Sequence, residues 1–415
     1  VKPLRRNRIA LRLILSSIVL IGVAGCSDDT PEAATTASTT TVGDTSTSTS
    51  STATPSAGPS DDEFAAVAAT YADLVHAAYT ASITSATEMQ ATIAEFLADP
   101  TETTLEAARQ AWLVARNDYG PTEAFRFYDG PIDDPDDGPE GQINAWPMDE
   151  AYVDYVDGDP TAGIVNNPTD FPEITVDVLT AANEAGGETN ISTGWHAIEY
   201  LLWGQDLDPT GPGARPVTDY TTEPNADRRA TYLELLTQLL IDDLTSVAEQ
   251  WDPADGTYRE QFLADPRLAV QNLMRGIGAL SAGELAGERM AVALETKDQE
   301  DEHSCFSDNT NADVVNNAIG IRMVYLAEFP GIDGPSPADL VAAVDPDLDA
   351  TLRTKLDESV ALAESFPATF ETMIAASDDD PANQAYVAAL VSIEDQGVLI
   401  AQAAAAIGLA ISVEV

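Results

Sequence analysis

The chain has 415 residues, enough for two domains with separate cores, and carries 70 acidic against 19 basic residues, a formal net charge of −51. So acidic a surface repels nucleic acid and anionic lipid head groups and attracts cations, but it also suits a protein kept soluble in a salty habitat, so charge alone does not establish metal binding. Only three histidines and two cysteines are present, with no His-Glu-x-x-His zinc peptidase motif, no Cys-x-x-Cys-His haem attachment and no Gly-x-Ser-x-Gly hydrolase elbow.

In chain order, residues 1–25 read as a signal peptide. Lys2, Arg5, Arg6, Arg8 and Arg12 precede an apolar run over 13–23 that is short for a membrane span, and Val23-Ala24-Gly25-Cys26 resembles a bacterial lipobox. Cleavage before Cys26 and acylation of its sulfur would make the protein extracytoplasmic and anchor it to the cell membrane by lipid. Cys305 is then alone, so no intramolecular disulfide forms. Residues 26–60, almost all Ser, Thr, Ala, Asp, Pro and Gly, read as a disordered tether.

From residue 61 the apolar period is helical, and nothing alternates with a two-residue period. The fold class is therefore all-α. It divides into two helical-bundle domains, 61–224 and 225–415, related by weak internal duplication, with a long irregular insertion in the first. Phe64, Val67, Tyr71 and Leu74 begin a helix over 61–97. Asp99-Pro100-Thr101 breaks it and caps a second over 101–117, whose stripe of Leu105, Ala108, Trp112, Arg116 and Tyr119 points on to Glu123 past an interruption at Gly120-Pro121. Residues 120–190 are dense in Gly, Pro and Asp, and so long an irregular stretch in a compact chain usually carries function. A second irregular stretch, 206–224, reads as the domain junction, and helices follow at 226–251, 266–302, 312–329, 337–344, 346–374 and 381–411. On the 266–302 helix the stripe Leu273, Ile277, Leu280 continues onto Glu284 and Glu288, acids at apolar positions and so candidates for a site or for an ion pair with Arg289.

The densest chemistry lies at 192–206. A helix opening after Ser192 or Thr193 and stopping at Gly204 puts His196 and Glu199 on one face. An imidazole beside a carboxylate is half a metal site, and Ile198, Leu201, Leu202 and Trp203 bury it. Glu300-x-x-His303 has the spacing of half a di-iron site, but the order at His196 and Glu199 is reversed, so His303 reads as a loop organiser. His76 reads as a core or surface histidine. Asp345-Pro346-Asp347-Leu348-Asp349 begins like a calcium loop, but Ala350 and Leu356 stand where Gly and Glu are needed, leaving an aspartate-rich helix start.

Gly194-Trp195-His196-Ala197-Ile198-Glu199, followed by Tyr200-Leu201-Leu202-Trp203-Gly204-Gln205-Asp206, resembles the signature of the imelysin family and its iron-regulated lipoprotein branch. Trp112-Leu113-Val114-Ala115-Arg116, Tyr119-Gly120-Pro121-Thr122-Glu123, Gly138-Pro139-Glu140-Gly141-Gln142-Ile143-Asn144-Ala145-Trp146-Pro147, Gly287-Glu288-Arg289-Met290 and the run 301–310 are similar to that branch as well. The resemblance implies an extracytoplasmic two-domain protein of iron acquisition, with His196, Glu199 and Glu123 as metal ligands. Gly194, Trp112, Arg116, Arg126, Glu284, Glu288, His303, Ser304, Ser307 and Asp308 are the site-lining candidates. The implied cargo is a metal ion, iron first with zinc and calcium open, or an iron-bearing small ligand. Iron-uptake proteins are the implied partners. The family also carries a metallopeptidase label, under which the metal would activate water with Glu199 or Glu123 as base. A scaffold lipoprotein with a vestigial motif is the third reading.

Overall fold

Ser60 starts the first helix: its hydroxyl accepts from the Glu63 N–H and the Glu63 carboxylate returns the bond. The helix is α1 (Asp61–Ala98) of a computed structural model that describes residues 58–208 and 210–414. The leader, Cys26 and nearly all of the tether lie outside the described residues. Phe64, Val67, Tyr71, Leu74 and Tyr79 of α1 face inward. A second capping box at Thr101 starts α2 (Glu102–Tyr119), packed along α1. The expected interruption at Gly120-Pro121 is only a tightening. Gly120 keeps a right-handed helical conformation, Pro121 stands at the start of the new turn where no N–H is needed, and a 3₁₀ segment, Gly120–Phe125, carries Glu123 into the interior.

Four short helices follow: α3 (Glu140–Ile143), α4 (Glu150–Val153), α5 (Gly163–Asn166) and α6 (Val176–Ala182). Asp154 ties this irregular stretch to the next by accepting from Arg215 and Arg229 at 2.8 and 2.6 Å. Then come α7 (Gly194–Trp203) and α8 (Ala226–Gln250), which packs on α1. Trp112 of α2 meets Trp195 and Trp203 of α7 edge-on, with centroids 6.2 and 5.4 Å apart.

After α9 (Tyr258–Ala264) and α10 (Pro266–Ala279) the helix widens into a π segment, Leu280–Ala291, before α11 (Val292–Thr296) ends at Lys297 with φ 55°. One continuous helix to 302 is thus replaced by three joined pieces. The remaining helices are α12 (Thr310–Leu326), α13 (Pro337–Val344), α14 (Pro346–Glu364), α15 (Phe370–Ala375) and α16 (Pro381–Ala406). Pro367 parts α14 from α15, where the sequence predicts one helix. The π segment, α12, α14 and α16 pack together, α10 lies against both α1 and α16, and the buried apolar side chains of the described residues form one continuous core. Among the described residues there is no β-strand, only an isolated bridge between Val156 and Asp159, so the fold is all-α.

Candidate functional site

Gly194 has φ 82°, and a Cβ there would collide with the Ile143 carbonyl, so glycine lets α7 begin hard against α3. Thr193 holds the N-cap position, but its hydroxyl donates to the Gln142 carbonyl at 3.0 Å instead of capping, and the Ser192 hydroxyl donates to the Leu179 carbonyl. Every residue of α7 is buried. The sequence-predicted pair is formed: His196 Nδ1 lies 3.0 Å from Glu199 Oε2. The other Glu199 oxygen accepts from the Ser307 N–H at 2.9 Å and the Ser307 hydroxyl at 2.7 Å, so the carboxyl is engaged on both oxygens. His196 Nε2 is buried with no hydrogen-bond partner.

His303 repeats this arrangement beside it. The two rings stand edge to face with centroids 4.8 Å apart, and His303 Nδ1 lies 2.8 Å from Asp313 Oδ2, which also accepts from the Ser304 hydroxyl at 2.6 Å. Burial opposes the charge on Asp313, but the Arg116 guanidinium and the bonds from His303 and Ser304 hold it far below the usual carboxylate range. The Arg116 guanidinium also stands 3.2 Å from His303 Nδ1, but the shorter 2.8 Å contact to ionised Asp313 places the proton on Nδ1 and the lone pair on Nε2. Burial, with Arg116 for His196 and Arg289 for His303, lowers both imidazoles, so both stay neutral.

Three arginines surround the pair. Arg116 donates to Asp313 Oδ1 at 3.2 Å and to Asn144 Oδ1, and stands 3.8 Å from Glu123. Glu123 accepts from Arg289 and lies 3.8 Å from Arg126, which in turn pairs with Glu140 at 3.0 Å. Burial raises Glu123, but Arg289, His303 and Arg116 bring it down to about 2. Arg289 also binds Glu284 and Asn317, each at 2.9 Å. Glu284 and Arg289 are five residues apart, the i→i+5 spacing of a π-helix. The wider turn slips the expected stripe: Arg289 takes the inward place, Glu284 is partly buried, and Glu288 is exposed, outside the site.

A cavity of about 350 Å³ lies at this network, lined by Arg126, Glu140, Asn144, Trp146, Glu284, Arg289 and His303 among others. Trp112 lies apart from it, its indole N–H donating to the Trp195 carbonyl at 3.2 Å, and so supports α7. Asp308, at φ 56° and partly buried, belongs to a second group of carboxylates fed by the same 302–308 segment. There burial and Glu371 push Glu302 up to about 10, burial with Glu371 and Asp206 pushes Asp308 to about 7, and burial with Glu371 and Asp208 pushes Asp206 to about 6. His76 is a surface histidine, 3.9 Å from Asp252. Among the described residues no three His, Cys, Asp or Glu side chains converge as a ready metal cage. Sequence reasoning missed Asp313, an acid one turn into the helix after the 301–310 run, and Asn144, which lies inside one of the family-like segments.

Residues 75–396 match the sequence model of the Imelysin family. The chain is 29% identical over 258 residues to iron-regulated protein A of Synechococcus elongatus, covering 60% of each, so it spans about 60% of that relative's length. Of solved structures, a chain from Parabacteroides distasonis assigned as an iron-regulated protein A precursor superposes with a TM-score of 0.62 at 17% identity, covering 83% of this chain and 95% of that one. An imelysin-like protein from Psychrobacter arcticum gives 0.57 at 15% identity, covering 85% and 98%. The two structural likenesses bear on the all-helical fold.

Proposed function

We propose, from the premise that this chain belongs to the imelysin family, that it captures a metal ion or a small iron-bearing ligand outside the membrane for iron acquisition. The observation that carries this reading is the buried, unpartnered Nε2 of His196 on a ring that a carboxylate orients through Nδ1. Such a partner prepares a metal-binding imidazole once Glu199, raised by burial to about 8, releases its proton as the ion binds, and His303 on ionised Asp313 is prepared already. His196 and His303 would hold the ion, with Glu123, whose Oε1 receives no hydrogen bond, as the acid in reserve. Glu199, expected as a ligand, has both oxygens engaged and acts as the orienting carboxylate. Nitrogen donors backed by carboxylates fit iron or zinc; calcium prefers an all-oxygen shell. A bound ion supplies positive charge, and the residues around it bind, orient and exclude water.

The iron in the name of the Synechococcus relative supports iron as cargo. The cavity, at the low end of small-molecule sites, suits a hydrated ion or a small chelate. Acylated Cys26 and the tether hold the site at the cell membrane, within reach of iron-uptake proteins. The peptidase reading needs a free base, whereas Glu199 is engaged on both oxygens and Glu123 is paired with Arg289.

The test is metal analysis of the purified chain after loading with ferrous or ferric iron, wild type against His196→Ala. Wild type is expected to retain one equivalent that the variant loses. Wild type without retained metal, or a variant that retains as much, overturns the proposal. Casein cleavage that depends on His196 would favour the peptidase instead.

A further inference from the structure

The segment 302–308 is shared between two groups of side chains: His303, Ser304 and Ser307 join the imidazole network, whereas Glu302 and Asp308 join carboxylates that have no such counter-charge. Glu302 is 1% exposed and Glu371, on α15, 5% exposed. Neither Glu302 oxygen, nor Glu371 Oε2, receives a hydrogen bond of normal geometry, although the Thr310 hydroxyl lies near enough to Glu302 to ease its charge. The Glu302 and Glu371 carboxyls act directly on one another, Glu371 also acts on Asp308 and Asp206, and no arginine or lysine stands among the influences on Glu302, Asp308 or Asp206. Lys297, close in sequence, instead donates to the Ala376 carbonyl at 3.1 Å on the surface. Glu371 Oε1 accepts from the Thr369 hydroxyl and Asp206 from Gln299 and the Asp208 N–H, but both Glu302 oxygens and Glu371 Oε2 stay buried without a donor, and what they lack is a positive charge.

We propose that Glu302 and Glu371, with Asp308 beside them, bind a hard divalent cation of the calcium class, which fastens the segment carrying His303 and Ser307. Every side-chain donor in the group is oxygen, the preference of such cations. Cys305 does not contribute, because burial and the surrounding carboxylates push its thiol up and keep it protonated. No three acidic side chains converge there as a ready cage. That suits a cation that completes its shell with water and backbone oxygens, and not one that needs a full set of protein ligands. The proposal stands apart from the imidazole site and survives if that site binds nothing.

Terbium, a luminescent stand-in for calcium, is the probe. Trp146 donates its indole N–H to the Glu302 carbonyl at 2.8 Å and would sensitise a terbium ion bound beside it. The chelator-treated full chain, excited at tryptophan, is expected to give saturable luminescence that calcium displaces, above the background of other surface carboxylates. Glu302→Gln and Glu371→Gln should each weaken this binding at least tenfold, while His196→Ala should leave it unchanged. No saturable signal, or wild-type affinity in both glutamine variants, overturns the proposal. So does a wild-type melting temperature unmoved by millimolar calcium together with a Glu302→Gln protein more stable than wild type, which would mean that the two carboxyls share a proton. Circular dichroism of each variant separates lost binding from lost folding.

Discussion

The imidazole network and the carboxylate group beside it are built from the same kind of residue and held in opposite ways. Glu123 and Asp313 lie among Arg116, Arg126 and Arg289 and are pulled below the usual carboxylate range although both are buried. Glu302, Asp308 and Asp206 lie among other acids and are pushed above it. In a chain with 70 acids and 19 bases, three arginines at one buried place are a concentrated use of a scarce residue type. The lesson is about where positive charge is permanent. At the network it is built in beside Glu123 and Asp313, so those two acids are structural. In the second group it is missing, so the acids are open to whatever cation arrives.

The strongest way to break this contrast is to remove the built-in charge. Arg116→Met leaves Asp313, Asn144 Oδ1 and Glu123 buried without their guanidinium. The expected loss of folding stability is about 3–5 kcal/mol, the cost of breaking one side of a buried ion pair. Urea unfolding of wild type and variant measures it. A loss under about 1 kcal/mol would mean that the network is far more open to water than its burial indicates.

Next in size is the orienting carboxylate. If Glu199 positions His196 and does not ligate, Glu199→Gln should lower metal affinity roughly 10–100-fold while leaving a measurable site, the effect typical of an outer partner. Competition against a coloured chelator gives the affinity. Complete loss of binding, equal to that of His196→Ala, would make Glu199 a ligand after all.

Asp308 and Asp206 respond to pH with one sign and Glu123 with the other, while Glu199, raised by burial to about 8, follows the acid group although it lies in the imidazole network. Asp308, held near 7, and Asp206, held near 6, have folded values above their unfolded ones of about 3.9, so their contribution is fully present below about pH 4 and is lost as pH rises through about 6–7. Glu123, held at about 2, runs the other way: its contribution is present above its unfolded value of about 4.3 and is lost as pH falls through about 2. In a chelator at low salt, the urea midpoint should therefore rise as pH is lowered from 8 to about 5.5. Millimolar calcium should reduce that rise, and Glu199, raised by burial to about 8, should keep the rest of it. A midpoint that instead climbs from pH 5.5 to 8 would show the acid group to be compensated.

How much of this was legible before coordinates follows from the range of each interaction. His196 and Glu199 share a face because three-residue spacing on a helix is local information, and the structure holds them 3.0 Å apart. That Ser307 would occupy the second Glu199 oxygen is not local, since 108 residues separate the two. Arg116 was placed on the inward stripe of α2 by its period, but its partner Asp313 lies 197 residues away and breaks no pattern. The helices were legible in type and order. Their interruptions at the π segment and at Pro367 were less so, because an apolar period read at 3.6 residues per turn runs through both.

The smallest expected effect tests the most particular of those interruptions. On a regular helix, Ile277, Leu280, Glu284 and Glu288 would share one face, and the interior would receive two acids and no arginine. The π turn delays the return to that face by a residue, so Arg289 enters to pair with Glu123 while Glu288 stays exposed. Charge compensation in the network therefore depends on one residue of helical register. Glu288→Ala is expected to change stability by less than about 0.5 kcal/mol, as surface substitutions do. Metal retention should be unchanged. Arg289→Met, one position along, should cost several times as much, because Glu123 and Glu284 both lose their partner. Equal losses from the two neighbours in the same urea series would place both side chains inside. That result would return the segment to an ordinary helix and remove the reason why an arginine, and not an acid, sits against Glu123.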